Sequence, residues 1–279
     1  MKVRILSWNI NSVRLRIKSL VAIIEEYRPD IVCLQETKCP NDLFPYQDFY
    51  NLGLKNVFSN GIKGYHGVSI ATKLEVEKTE QRDFCKKKDG RHLSVTLSTK
   101  NKPLTVHNFY VPAGGDEPDP IINEKFKHKL DFLDEATKWL SSIQNREELM
   151  LLVGDLNIAP HENDVWSHKQ LLKIVSHTPI EIEKLKMFQS SYDFIDSIRE
   201  FHPYTDKLYS WWSYRSKNWE HSNRGRRLDH IWASPELNKH IKSSSIEKKI
   251  RSFDRPSDHV PLIADFEFCL LYTSDAADE

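Results

Sequence analysis

No stretch of the 279-residue chain approaches the apolar length that a membrane helix needs. Its start, "MKVRILSWNIN", alternates like a strand and lacks the apolar centre of a secretion signal, so the cytoplasm is the expected location. Cysteine is scarce. Cys33, Cys39, Cys85 and Cys269 show no C-x-x-C spacing, and Cys33 sits in an apolar run. Buried free thiols are therefore expected, not a zinc site or a disulfide framework. A surplus of one charge is also missing, since 40 basic residues balance 40 acidic ones. Bulk attraction to nucleic acid is excluded by that balance, and any such contact needs a local patch. No repeat or low-complexity linker divides the chain, so one domain is expected over residues 1–268.

What is present suffices for a large core: 39% apolar residues, with seven Trp and thirteen Phe. Residues 3–9 read as a strand, followed by Ser12 as a helix cap. Ile17, Leu20, Val21, Ile24 and Tyr27 then recur at helical spacing, and Pro29 ends that helix. "IVCLQE" is a buried strand. "GVSIAT", "HLSVTLS" and "LTVHNFYV" are short strands whose turn signals suggest antiparallel pairing. Helices are expected near 121–143 and 181–199, with "LMLLVGD" as a buried strand between them. "LYSWWSYR", "RRLDHIWAS" and the run Val260, Leu262, Ala264, Phe266 complete the strands. Two packed sheets with helices outside fit this α/β pattern better than one parallel sheet. The tail "CLLYTSDAADE", 269–279, continues no pattern and is expected to stand outside the fold.

The ends of these strands carry chemistry. Asn9 and Asn11 follow "ILSW", Glu36 ends "IVCLQE", and Tyr110 ends "LTVHNFY". Asp155 and Asn157 follow "LMLLVG", Asp229 sits in "RRLDHIWAS", and Asp258 and His259 precede "VPLIADF". Singly, each is an ordinary turn former. If six such ends meet on one face, they form an oxygen-rich anionic site suited to Mg²⁺ or Mn²⁺. The most basic stretch with interleaved aromatics is 214–227, "YRSKNWEHSNRGRR". The lysines and Arg91 of "KKKDGR" are expected to be a solvated loop, and His66, His92, His107 and His128 ordinary loop histidines.

In order, "LSWNINSVR", "PDIVCLQETK", "NFYVPAGG", "LLVGDLNIAP", "YSWWSYRS", "NRGRRLDHIWAS" and "PSDHVPL" resemble the exonuclease III type of abasic-site DNA endonuclease. That type lies within the endonuclease/exonuclease/phosphatase superfamily. The resemblance spans residues 1 to about 268. It implies a four-layer α/β sandwich, two mixed sheets flanked by helices, of the DNase I-like kind. It implies a DNA repair nuclease using one or two divalent ions, cutting 5′ to abasic sites and trimming 3′ ends of duplex DNA, and acting as a monomer.

Position by position, the resemblance makes Glu36 a metal ligand, with Asn9 and Asp258 completing that site and Asn11 orienting it. Asp155 would orient or deprotonate the attacking water, and Asn157 would hold Asp155 or the scissile phosphate, both near the metal. Tyr110 would lie by the phosphate and leaving oxygen. His259 would touch a phosphate oxygen within the metal site, with Asp229 holding its imidazole. Trp211 and Leu228 would line a pocket for a flipped abasic sugar, while one of Trp211 and Trp212 stays in the core. Arg215, Arg224, Arg226 and Arg227 would contact flanking phosphates, and Lys217 is expected to be solvated. Two departures stand out: Ala113 replaces a longer polar residue, and Arg226 stands where some relatives have an aromatic. A same-fold phosphodiesterase acting on RNA or small phosphoesters, and an inactive DNA-binding module, are the competing readings.

Overall fold

The computed structural model describes residues 2–267, apart from 100, 101, 144, 146 and 217. Lys217, Cys269 and the 269–279 tail therefore lie outside the described residues. The chain begins β1 (Lys2–Asn9), α1 (Ile17–Tyr27), β2 (Ile31–Gln35), α2 (Tyr46–Asn51), β3 (Asn56–Asn60), β4 (Val68–Thr72) and β5 (Val76–Glu80). It continues β6 (His92–Leu97), β7 (Leu104–Tyr110), α3 (Glu124–Ser141), β8 (Leu149–Asp155), α4 (His168–Leu171) and α5 (Pro179–Ser190). It closes with β9 (Ile195–Asp196), β10 (Trp211–Trp212), α6 (Trp219–Ser222), β11 (Gly225–Arg226), β12 (Asp229–Ala233), α7 (Pro235–Asn238), β13 (Ile241–Ile246) and β14 (Leu262–Glu267).

Two six-stranded sheets result, ordered β13-β14-β1-β2-β4-β3 and β5-β6-β7-β8-β12-β9, with β10-β11 as a separate ribbon. The β1–β2 and β7–β8 pairs are parallel, and the other sheet pairs are antiparallel. Strand alternation assigns every side chain to one of four layers. Val3, Ile5, Ile31, Cys33, Val106, Leu151, Val153 and Leu262 meet between the sheets. Leu6, Trp8, Val32 and Leu34 face the other way, against Leu20 and Ile24 of α1. Phe109, Met150, Leu152 and Trp232 pack under Phe132 and Leu133 of α3 and Phe188 of α5. The order is helix, sheet, sheet, helix. Each fully buried aliphatic side chain in these layers contributes roughly 1.5–3 kcal/mol.

The structure corrects several local expectations. Ser12 caps nothing: it has φ 87°, and α1 begins at Ile17 without a side-chain cap. The second long helix starts earlier and stops at Ser190, where Thr178 and Glu181 form a capping box at its head. Ile195 and Asp196 are then an edge strand. "GVSIAT" does not pair with "HLSVTLS"; β4 lies between β2 and β3 in the other sheet. "LYSWWSYR" supplies only the two-residue β10. His92 and His107 are buried, stacked ring to ring on β6 and β7, and are not loop histidines.

Candidate active site at the polar end of the inter-sheet core

The rows of side chains that build the inter-sheet core change character at one end. On β1 the inward row runs Val3, Ile5, Ser7, Asn9; on β2 it runs Ile31, Cys33, Gln35. On β7 it ends in Asn108 and Tyr110, and on β8 in Asp155. These polar positions are buried, so each needs a partner. Gln35 Nε2 donates to Ser7 Oγ (3.1 Å) and Asn108 Oδ1 (2.7 Å), and Asn108 Nδ2 donates to Leu34 O and Ser69 O. This bridge ties the two sheets together directly beneath the site.

Above it the chain turns sharply. Asn11, Glu36, Lys38, His66 and Asn157 all have φ between 45° and 54°, a region costly for non-glycine residues and common where function demands it. Gly154 is required for a different reason: a Cβ there would lie 1.9 Å from Phe109 O on the neighbouring strand.

Six segments then converge. Asn9 Nδ2 donates to Glu36 Oε1 (3.0 Å) and Asp155 Oδ2 (2.8 Å), and lies 3.4 Å from His259 Nε2. Its Oδ1 accepts from the Asn11 amide, which fixes the orientation of the Asn9 side chain. Asn9 therefore turns its NH₂ group, not its oxygen, toward the carboxylates. Asn11 Nδ2 donates to Asp258 Oδ1, and Trp211 Nε1 donates to Asp258 Oδ2, both at 2.9 Å. Asp155 accepts from Asn157 N (2.9 Å) and Asn157 Nδ2 (3.2 Å), while Asn157 Nδ2 also reaches Val111 O. Asp229 lies opposite Asp155 in the β12–β8 register. Asp229 Oδ2 accepts from Ser210 Oγ (2.6 Å) and meets His259 Nδ1 at 2.7 Å. His259 Nε2 lies 3.7 Å from Asp155 Oδ2.

The environments drive these acids apart. Burial opposes charge on Glu36, yet the Lys38 ammonium, 2.7 Å from Oε2, and the Asn9 bond outweigh it and hold the carboxyl below its ordinary value. Burial pushes Asp155 up to about 7, against the pull of His259. For His259 burial alone would favour the neutral ring, but Asp229 and Asp155 push it up to about 10. Tyr110, raised by burial and by Glu36, keeps its proton and donates to Glu36 Oε1 at 2.8 Å.

Sequence reasoning named the acids and missed their supports. Lys38, inside "LQETK", also donates to Asn11 Oδ1 at 2.7 Å. Arg91 is no solvated loop residue: it is buried, donates to Tyr110 O and lies over the Tyr110 ring. Lys129 is wholly buried; its ammonium meets Glu181, Asn157 O (2.8 Å) and Ala113 O (3.3 Å). It thereby ties the loops after β7 and β8 to the head of α5. Only its helical spacing was visible in the sequence.

The basic segment divides. Arg215 and Arg224 are exposed, and Arg224 lies over Trp166. Arg227, expected at a phosphate, is instead fully buried between Asp164 and Asp196, at 2.7–2.9 Å. Two buried acids from distant segments consume its charge. Arg226 pairs with Trp211 across the ribbon, its guanidinium 5.3 Å from the ring centre. Trp211 and Leu228 share one apolar cluster with Trp166, Val165 and Leu171, next to Asp258 and His259. Trp212 is the core partner, 1% exposed.

Residues 6–259 match the Endonuclease/Exonuclease/phosphatase family, a span from β1 to the His259 of the converging site. The chain belongs to that family. It is 35% identical over 275 residues to an exodeoxyribonuclease III of Haemophilus influenzae, covering 95% of this chain and 100% of that one. Within the family, a solved AP endonuclease from Archaeoglobus fulgidus superposes with a TM-score of 0.87 at 31% identity, covering 95% of this chain and all of that one. A Neisseria 3′ phosphatase, NExo, solved with product DNA hairpin, gives 0.86 at 26% identity over 95% of this chain and all of that one. The four-layer sandwich is the family fold, and the convergent site falls within the matched span.

Proposed function

We propose that the convergent site hydrolyses DNA phosphodiesters, and that Asp155, Glu36 and the Asp229–His259 pair divide the work. The chain is a DNA repair nuclease of the exodeoxyribonuclease III type. The observation that carries the division of labour is the contrast between acids: Glu36 is held charged beside an ammonium, whereas Asp155 is buried and poised near neutrality. A carboxylate so poised suits the base that takes a proton from water. His259, held as a cation by Asp229, suits a donor to a non-bridging phosphate oxygen. Tyr110 has a proton to offer near the leaving oxygen.

The donor set fits a hard divalent cation, Mg²⁺ or Mn²⁺. Glu36 and Asp258 offer carboxylate oxygens, and the Lys38 ammonium on Glu36 marks where positive charge is favoured. Asp155, Asp229 and His259 form a second cluster with ligand atoms within 4.8 Å of one another. There His259 is committed to Asp229 as a proton donor, so Glu36 and Asp258 are the better holders. When bound, the ion would neutralise phosphate charge and favour departure of the 3′ oxygen. Trp211 and Leu228 would wall the pocket beside the scissile bond, with Arg215 and Arg224 on flanking phosphates. One chain supplies every residue, so the active unit in this reading is a monomer.

The test is a duplex carrying one tetrahydrofuran abasic analogue, incubated with Mg²⁺ and with EDTA. A nick 5′ to the analogue that requires metal, and that Glu36→Ala and Asp155→Ala abolish, is expected. Tight binding without any cut would favour the inactive binding module, and a cut indifferent to both substitutions would overturn the site assignment.

A further inference from the structure

Arg226 and Arg227 are sequence neighbours with opposite fates. Arg227 is neutralised by Asp164 and Asp196. Arg226 forms no ion pair among the described residues. It is half-buried, and its Nη1 donates to two neutral acceptors, Val175 O (2.9 Å) and Ser176 Oγ (2.6 Å). Ser176 holds an unfavourable φ of 87° in presenting that hydroxyl. The guanidinium is thus held over the Trp211 ring, while its Nε and Nη2 donors have no acceptor among the described residues. Burial disfavours the cation and lowers its pKa; the Glu181 carboxylate pulls the other way without outweighing it, and that acid is already bonded to Lys129. A fixed cation with free donors and no carboxylate partner is complementary to an anion.

Its position selects which anion. Trp211 bonds Asp258 and bridges to His259, so the Arg226–Trp211 wall adjoins the reacting centre. Arg215 and Arg224, in contrast, are exposed at the surface, where a duplex backbone would pass in the nuclease reading. A backbone phosphate would meet the surface arginines, whereas a group attached directly to the scissile phosphorus would lie beside the Arg226–Trp211 wall.

Resting on the nuclease reading above, we propose that Arg226 is a specificity-determining residue that receives an anionic group carried on the scissile phosphorus at a blocked 3′ end. Terminal phosphate monoesters and carboxylate-bearing phosphodiesters are then favoured relative to an internal, uncharged abasic sugar. The reaction is ordinary hydrolysis. The oxygen of water bonds to phosphorus, the bond from phosphorus to the 3′ oxygen breaks, and the proton lost by water ends on that 3′ oxygen. The blocking group leaves as inorganic phosphate or as phosphoglycolate.

The experiment measures kcat/KM with Mg²⁺ on three duplexes: a 3′-phosphate end, a 3′-phosphoglycolate end and an internal tetrahydrofuran site. Wild type, Arg226→Leu and Arg226→Lys are compared, with thermal melting as the check on folding. The expected result is that Arg226→Leu lowers the ratio of either blocked-end value to the tetrahydrofuran value at least 10-fold, and that Arg226→Lys restores part of it. An unchanged ratio overturns the proposal. A fall confined to the tetrahydrofuran duplex also overturns it, by assigning Arg226 to a flanking backbone phosphate. Wild type inert on all three would overturn the nuclease reading itself, which is a distinct outcome.

Discussion

Replacing Asp229 by asparagine isolates charge from geometry. Asp229 Oδ2 serves Ser210 and His259, whereas Oδ1 is buried without a hydrogen-bond partner. An asparagine can keep its oxygen at the Oδ2 position and place NH₂ where nothing was bonded. The His259 ring then keeps its tether and loses its counter-charge. In the native protein the imidazole is pushed from 6.5 up to about 10. At about 1.4 kcal/mol per pKa unit, this is a preference for imidazolium on the order of 5 kcal/mol. In the proposed reaction the protonated ring is the donor, so its contribution is present below that pKa and lost as pH rises through it, whereas the acid limb near pH 7 belongs to Asp155. Removing the largest attractive partner returns the ring toward its ordinary value, with Asp155 still holding it partly up. At pH 8.5 the protonated fraction then falls about 10- to 100-fold, while at pH 6 it falls by less than about 1.5-fold. The assay is kcat/KM for nicking a tetrahydrofuran duplex between pH 6 and 10, alongside nitrogen-15 chemical shifts of the His259 ring. Asp229→Asn is expected to move the alkaline limb down by about 2.5 to 3.5 pH units. A loss of equal size at every pH, with an unmoved ring titration, would refute the role given to His259.

Glu36→Ala removes the oxygen pair beside Lys38, and the Mg²⁺ affinity of the protein, read by calorimetric titration, is expected to fall at least about 10-fold; an unchanged affinity would take Glu36 out of the metal site. Arg227→Met leaves Asp196 without its ion pair in the interior and leaves Asp164 with Arg199 alone, and urea unfolding should report a loss of about 3–5 kcal/mol. Wild-type stability in that variant would return Arg227 to the list of phosphate contacts. Arg215→Ala with Arg224→Ala should reduce the slope of log binding constant against log salt by about 2, while leaving sequence preference untouched. A slope that stays the same means neither side chain meets a phosphate.

The strands that the sequence concealed are the sheet edges. β3, β13, β5 and β9 each close one side of a sheet, and their sequences "NVFSN", "IKSSSI", "VEKTE" and "ID" are polar or very short. Edge strands bury one flank at most and are protected by charge, so they carry little of the apolar signal by which interior strands are found. Interior strands were plain for the opposite reason, and so were the polar residues that end them. Arg227 was misread because a basic run shows charge but not its distant acceptors, Asp164 and Asp196. Lys129 was hidden for the same reason: a buried ammonium on an amphipathic helix looks like any solvated lysine until Glu181 and Asn157 are seen beside it.

The pairing of β1 with β14 has a consequence for synthesis. Arg4 bonds Asp265, a separation of 261 residues, and Asn9 from the first strand meets His259 just ahead of β14. Contacts this distant in sequence close late and slowly. A nascent chain emerging from the ribosome can assemble α1, β2 and the Glu36 turn early, but His259 and Asp258 arrive only with the closing segment. Glu36 and Asp258, the proposed metal holders, are therefore kept apart until that segment is inserted between β13 and β1. On the proposed site assignment, an unfinished chain is a scaffold without scissors, and cutting competence is switched on by the same event that completes the fold.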